Sequence, residues 1–151
     1  MNLNEEIEFL TLYAKLENKR FDKKFNFTIE TDLTSKLEQL KFPGLLLQPL
    51  VENSIIHGVN SIESTGDIII KFIENTTHLI VEIRDNGIGI SKGPKDNNRK
   101  SHGISILKQR VKLYNGDQAM DSDITFKIND KDSDNQGTLV QIKLFKTKSY
   151  L

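Results

Sequence analysis

None of the 151 residues is a cysteine. Disulfides and thiolate metal sites are thereby excluded, and the composition fits a reducing compartment. There is no surplus of charge either, because 21 Lys+Arg balance 21 Asp+Glu. A neutral chain exerts no broad electrostatic pull on nucleic acid or on an anionic membrane. No stretch approaches the roughly 18–20 apolar residues of a membrane span. The opening "MNLNEEIEFL" is acidic, where a secretory signal is basic. Internal repeats and low-complexity tracts are missing as well. With 36% hydrophobic and 28% charged residues, the chain has an ordinary globular composition and enough length for one domain with a sizeable core. The expected setting is a soluble protein facing the cytoplasm, with no nucleic-acid partner and no direct membrane contact.

Periodicity predicts the elements. Residues 2–20 read as a helix opened by a capping box of Asn2 and Glu5, with Glu5 and Glu6 suiting the first-turn dipole. It carries two apolar stripes, Leu3/Ile7/Leu10/Ala14 and Phe9/Leu12/Tyr13/Leu16. Two stripes imply either a contact beyond the domain or one wide core-facing surface. "KFNFTIET" (24–31) alternates like a strand. A helix over 45–58 follows, entered at Pro43-Gly44, with Pro49 tolerable only in its first turn and Gly58 at its end. "DIIIKFIE" and "HLIVEIR" read as paired strands, "ISILKQRVKLYNG" as a helix stopped by Asn115-Gly116, and "DITFKIND" with "GTLVQIKLF" as a closing hairpin. The order α-β-α-β-β-α-β-β predicts an α+β fold, a two-layer α/β sandwich with helices on one face of a mixed sheet.

The chemistry concentrates after the strand ending at Arg84. Asp85-Asn86-Gly87-Ile88-Gly89 offers a carboxylate at a strand end and two glycines behind it. A buried carboxylate there can accept from an amino group, and glycines let the backbone turn around a flat ligand; a plain Asp-Asn-Gly turn is the alternative. Between Ser91 and His102 stand Lys92, Lys95, Arg99 and Lys100 against Asp96 alone. That basic stretch ends at Ser101-His102-Gly103, where the apolar helical pattern begins. Helix-terminal N–H groups with nearby cations suit a phosphate chain, although such runs are more often simply solvated. No Walker A loop and no third glycine of a dinucleotide turn occurs. On the 45–58 helix, Asn53 and His57 lie four apart on one shoulder and Glu52 about 100° away. An Asn and a carboxylate at a pocket edge are oxygen ligands of the kind Mg²⁺ uses when it binds through phosphates. "DKDSDN" (130–135) has acids at alternate positions but lacks the Gly and Glu of a calcium loop, so a hairpin turn is expected.

Taken together, these pieces resemble the ATP-binding catalytic domain of sensor histidine kinases, in the LytS-like subfamily of the GHKL (Bergerat-fold) ATPases. "LLLQPLVENSIIHGV" resembles its N box, "DNGIGI" and "SHGISILKQRVKLYNG" its two glycine boxes, and "GTLVQIKL" its closing Gly-Thr strand. The resemblance covers nearly the whole chain. It implies that residues 1–22 are similar to the end of the dimerisation and phosphoacceptor region, and that 23–151 form the catalytic domain. It implies ATP and Mg²⁺ as cofactors. Asp85 would accept the adenine amino group above Gly87 and Gly89, with Thr138 supporting it. Asn53 would bind Mg²⁺, and Glu52 and His57 would line the phosphate end. Ser101, His102 and Gly103 would hold the triphosphate.

Four departures and gaps qualify the pattern. Ser101-His102-Gly103 stands where Gly-x-Gly is common, and Ile106 where an Asn is common. Pro49 occupies the place where gyrase- and chaperone-type relatives carry a catalytic Glu. The histidines, His57, His78 and His102, all sit outside the helical context of a phosphoacceptor. The acceptor His is therefore expected outside this chain, on a helical partner domain of a dimeric full-length sensor, with a response regulator downstream. A degenerate module without kinase activity, working through protein contacts, is the alternative.

Overall fold

The computed structural model describes residues 1–20, 25–59, 65–87, 97–129 and 137–146, with the side chains at 57, 58, 97–102, 128 and 129 excepted. Helix α1 spans Leu3–Arg20, β1 Phe25–Asp32, α2 Gln48–Asn53, β2 Gly66–Glu74, β3 His78–Asp85, α3 Asn97–Asn115, β4 Ile124–Asn129 and β5 Gly137–Phe145. The strands form one sheet in the order β1-β2-β3-β5-β4. Only β1 and β2 run parallel, and the other neighbours are antiparallel. The predicted element order and mixed α+β sandwich are both present. "DKDSDN" lies outside the described residues.

Register explains where the core sits. Ile68, Ile70 and Phe72 of β2 face Asp85, Ile83 and Val81 of β3, which in turn face Thr138, Val140 and Ile142 of β5. Because side chains alternate across a strand, this row occupies one face, and all of it is buried. That inward face ends in a carboxylate at each extreme, Asp85 at one end and Glu74 at the other. The helices cover it with Leu3, Leu10 and Ala14 of α1, Leu50 and Val51 of α2, and Leu107 and Val111 of α3. Phe42 meets Phe72 edge-on, with centroids 6.2 Å apart.

Local chemistry sets the helix ends. The capping box forms: Asn2 Oδ1 accepts from Glu5 N–H at 3.0 Å and Glu5 Oε2 from Asn2 N–H at 2.9 Å. The second stripe of α1 divides. Phe9 and Tyr13 stack at 6.4 Å and are half-buried, whereas Leu12 and Leu16 are each 58% exposed. Helix α2 is shorter than predicted. Residues 44–47 form turns, Pro49 sits in the first helical turn, and Ser54–Gly58 continue as a π-helical turn. Helix α3 begins at Asn97, earlier than the apolar pattern indicated, because Asn97 and Asn98 suit a helix start and the following cations tolerate helix without adding apolar periodicity. It stops as predicted, at Asn115, with Gly116 at φ +62°. Asn115 is itself buried: it donates to Lys143 O at 3.0 Å and accepts from Phe145 N–H at 2.9 Å, fastening α3 to β5.

Candidate functional site

Asp85 is the last residue of β3, in register with Ile68 on one side and Thr138 on the other. Its backbone continues the inward apolar row, which is why its carboxylate is only 6% exposed. Oδ1 accepts from Gly87 N–H at 2.9 Å, an Asx turn that redirects the chain at the strand end. The Ser54 hydroxyl and the Thr138 backbone N–H lie near enough to this carboxylate to favour its charged form. Burial raises its pKa above the usual carboxylate range, and Gly87, Ser54 and Thr138 only partly offset that. A carboxylate offers roughly four lone-pair sites. Gly87 N–H occupies one of them, and acceptor capacity is left for an incoming N–H.

The turn behind Asp85 is fixed independently. Asn86 Oδ1 accepts from Asp67 N–H at 2.7 Å, while Asn86 N–H donates to Asp67 O at 3.2 Å. Gly137, at φ +135°, passes so close that a Cβ on it would lie 1.8 Å from the Asp85 carbonyl oxygen. Only glycine fits that contact.

The predicted site residues fall into three groups. Asp85, Gly87 and Thr138 come together as described. Glu52 and Asn53 are exposed at the end of α2, immediately before Ser54, which reaches Asp85. Gly103 is exposed on α3, with nothing within 4 Å of where a Cβ would point. Gly89 and the side chains of His57, Ser101 and His102 lie outside the described residues. Two expectations change. The α-helical pairing of Asn53 with His57 does not apply, because a π turn over Ser54–Gly58 shifts the residues off that spacing. Positions 101–103 also do not open a helix. They follow four helical residues, so their N–H groups are engaged within α3, and a phosphate contact there would rest on side chains and on the open space at Gly103.

Sequence reasoning missed Ser54 and Gly137 as parts of the site. Ser54 was hidden as a small polar member of an apolar stripe; a hydroxyl there, directly after two polar residues, was the available signal. Glu52 also has a neighbour that was not anticipated. The Tyr13 phenol of α1 is raised, first by burial and then by the Glu52 and Glu17 carboxylates, while Gln48 hydrogen-bonds to it.

The class follows from comparison. Residues 39–148 match the family described as histidine kinase-, DNA gyrase B-, and HSP90-like ATPase, and the chain belongs to that family. Among curated relatives, the sensor histidine kinase BtsS of Escherichia coli K12 is 31% identical over 117 residues, 78% of this chain and 20% of that protein. The sensor histidine kinase/phosphatase LytS of Staphylococcus aureus is 34% identical over 93 residues, 61% of this chain and 16% of that protein. The chain thus spans a fifth or less of the length of these relatives. In fold it matches the catalytic domain of the histidine kinase ThkA, with a TM-score of 0.61 at 20% identity, covering 97% of this chain and 95% of that one. It also matches the histidine kinase domain of the Erythrobacter litoralis EL346 blue-light activated kinase, with a TM-score of 0.58 at 18% identity, covering 91% and 59%. Among the described residues no helix is long and apolar enough to cross a membrane.

Proposed function

We propose that this chain binds ATP with Mg²⁺ and is the catalytic domain of a two-component sensor histidine kinase. It passes the γ-phosphoryl group to a histidine on a helical domain outside this chain. The observation that carries this reading is Asp85: a buried strand-end carboxylate with acceptor capacity left beyond its bond from Gly87, inside the region that matches the ATPase family. That capacity fits an exocyclic amino group, and the Gly87 turn leaves the backbone low beneath a flat base. Thr138 stands beside the carboxylate in register with Asp85, and Gly89 is assigned to the base pocket by the resemblance of its glycine box alone.

At the other end, Asn53 would be the oxygen donor for the metal, with Glu52 next to it; the resemblance assigns His57, Ser101, His102 and Gly103 to the phosphates. Among the described residues there is no cluster of three metal-ligating His, Asp or Glu side chains. This donor set suits a cation held mainly by phosphates and water, as Mg²⁺ is. When bound, Mg²⁺ neutralises charge on the transferring phosphoryl. The protein's own share is positioning, since phosphoryl transfer needs alignment more than covalent chemistry. A response regulator is the downstream partner, the full-length protein is dimeric, and this domain faces the cytoplasm.

Calorimetric titration with a non-hydrolysable ATP analogue, with and without Mg²⁺, tests the reading. Mg²⁺-dependent binding that disappears in Asp85→Asn supports it. A folded wild-type chain that binds no adenine nucleotide overturns it.

A further inference from the structure

Leu45 stands out among the described residues. It is the one non-glycine residue among them at positive φ, +59°, in the left-handed region that is strained for a residue bearing a side chain. Its side chain is 47% exposed, so burial of the leucine does not hold it there. Both of its backbone polar groups are held instead. The N–H donates to Glu6 Oε2 of α1 at 3.2 Å, and the carbonyl accepts from Arg110 Nη1 of α3 at 3.1 Å. The neighbours repeat the pattern: Leu47 N–H points to Glu6 Oε1 at 3.5 Å, and Gly44 O accepts from Arg110 Nη2 at 2.6 Å. Glu6 is completely buried and faces the charge of Arg110.

This turn leads directly into α2, where Leu47 is the residue before the first helical position and has no side chain of its own to cap it. Glu6 supplies the carboxylate that such a helix start favours. The first residues of α1 are also stitched to the approach segment, with Leu3 N–H on Leu40 O at 2.8 Å and Phe42 N–H on Met1 O at 3.0 Å. We propose that Glu6 and Arg110 are positioning residues for the nucleotide site: a carboxylate from α1 and a guanidinium from α3 clamp a strained turn at 44–47, which sets where α2 presents Asn53 and Ser54. The clamp makes nucleotide affinity depend on how α1 is seated. The inference rests on the nucleotide-binding reading above for its functional consequence, but not for the clamp itself.

The test compares wild type, Glu6→Gln, Arg110→Gln and Glu8→Gln, an exposed charge control on the same helix. Each is also made in a Leu45→Gly background, since glycine adopts the left-handed turn unaided. The readouts are the Kd for ADP with Mg²⁺ and amide hydrogen exchange across 45–53, with circular dichroism to confirm folding. Glu6→Gln and Arg110→Gln should each weaken binding roughly tenfold and speed exchange across 45–53, while Glu8→Gln changes neither. Leu45→Gly should recover most of that loss, which a general loss of stability would not allow. Unchanged Kd and exchange in folded Glu6→Gln and Arg110→Gln would overturn the clamp, as would losses that Leu45→Gly does not reduce. If wild type binds no nucleotide, the functional reading falls and the exchange data alone decide the clamp.

Discussion

Replacing Asp85 by Asn changes one oxygen to an NH2 with almost no change in shape, so it isolates the chemistry of a single acceptor. The carboxylate is buried and accepts a hydrogen bond from Gly87 N–H, with the Ser54 hydroxyl and Thr138 N–H close by. In the variant, the amide oxygen can keep the Gly87 bond, and the Ser54 hydroxyl can rotate to accept instead of donate. The position left for an incoming amino group then presents N–H to N–H. Losing a bond to a charged acceptor costs about 1.5–3 kcal/mol, and stranding buried donors adds about 1–3 kcal/mol. A total of about 2.5–6 kcal/mol corresponds to roughly two to four powers of ten in Kd. Stability should move the other way. Because burial raises the Asp85 pKa in the folded state, folding favours the neutral carboxyl. The charged form therefore costs stability, at pH values above the raised folded pKa, and that cost fades as pH falls through it. Asn removes the charge, so the ligand-free variant should melt at or above the wild-type Tm at pH 7. Calorimetry with an ATP analogue and thermal melts of the same samples read both effects. A Kd within threefold of wild type would refute the placement of adenine on Asp85. A variant that fails to fold at neutral pH would refute the electrostatic account.

Other consequences can be checked separately. Glu74 has a fully buried side chain. Burial alone would raise its pKa, but Lys146 at 2.7 Å, the Ser35 hydroxyl and the N–H groups of Ser35 and Thr34 outweigh that and hold it well below the usual range. A depressed carboxylate contributes stability above its unfolded pKa of about 4, and loses it as pH falls through the folded value. Wild type should thus lose Tm on acidification below pH 4 more steeply than Glu74→Gln, which would already be less stable at pH 7; parallel pH profiles would refute this. Lys146→Met should cost about 2 kcal/mol in urea unfolding at pH 7, because it leaves Glu74 buried beside hydrogen bonds but without its cation. Gly137→Ala should destabilise by about 3 kcal/mol or more, since its Cβ would meet the Asp85 carbonyl at 1.8 Å with φ at +135°. Expression of a soluble, two-state Gly137→Ala protein of wild-type Tm would contradict that contact. Ser54→Ala should weaken nucleotide binding by roughly three- to tenfold by removing one donor from Asp85, with Tm nearly unchanged; equal affinity would place Ser54 outside the site.

The strands were legible because alternation of apolar and polar residues translates directly into an inward and an outward face. Asp85 was legible for a related reason: it continues the inward parity of β3 and yet is charged. What escaped were a feature whose partners lie far along the chain and two whose local sequence carries no distinguishing mark. Glu6 looked like an ordinary first-turn acid, and its burial comes from backbone donors at Leu45 and Leu47. The early start of α3 escaped because Asn, Arg and Lys can occupy helix without marking it with apolar spacing. The π turn after Asn53 escaped because its sequence, Ser54 to Gly58, fits an α-helical template equally well.

The sheet order also bears on how the molecule assembles. β2 and β3 are joined by the short turn at 75–77, and their pairing is local. β1 and β2 pair in parallel with Phe25 opposite Gly66, so that contact closes a loop of about forty residues containing the 44–47 turn and all of α2. Loop closure of that length makes such a pairing late relative to a hairpin. Refolding from urea should therefore show strand signal before nucleotide capture, with the capture lag lengthening when the β1–β2 connection is loosened. Simultaneous appearance of the two signals would contradict this order. A pocket that draws Ser54 from this crossover and Asp85 from β3 becomes competent only when the rest of the chain is in place, so a nucleotide would engage finished molecules and pass over incomplete ones.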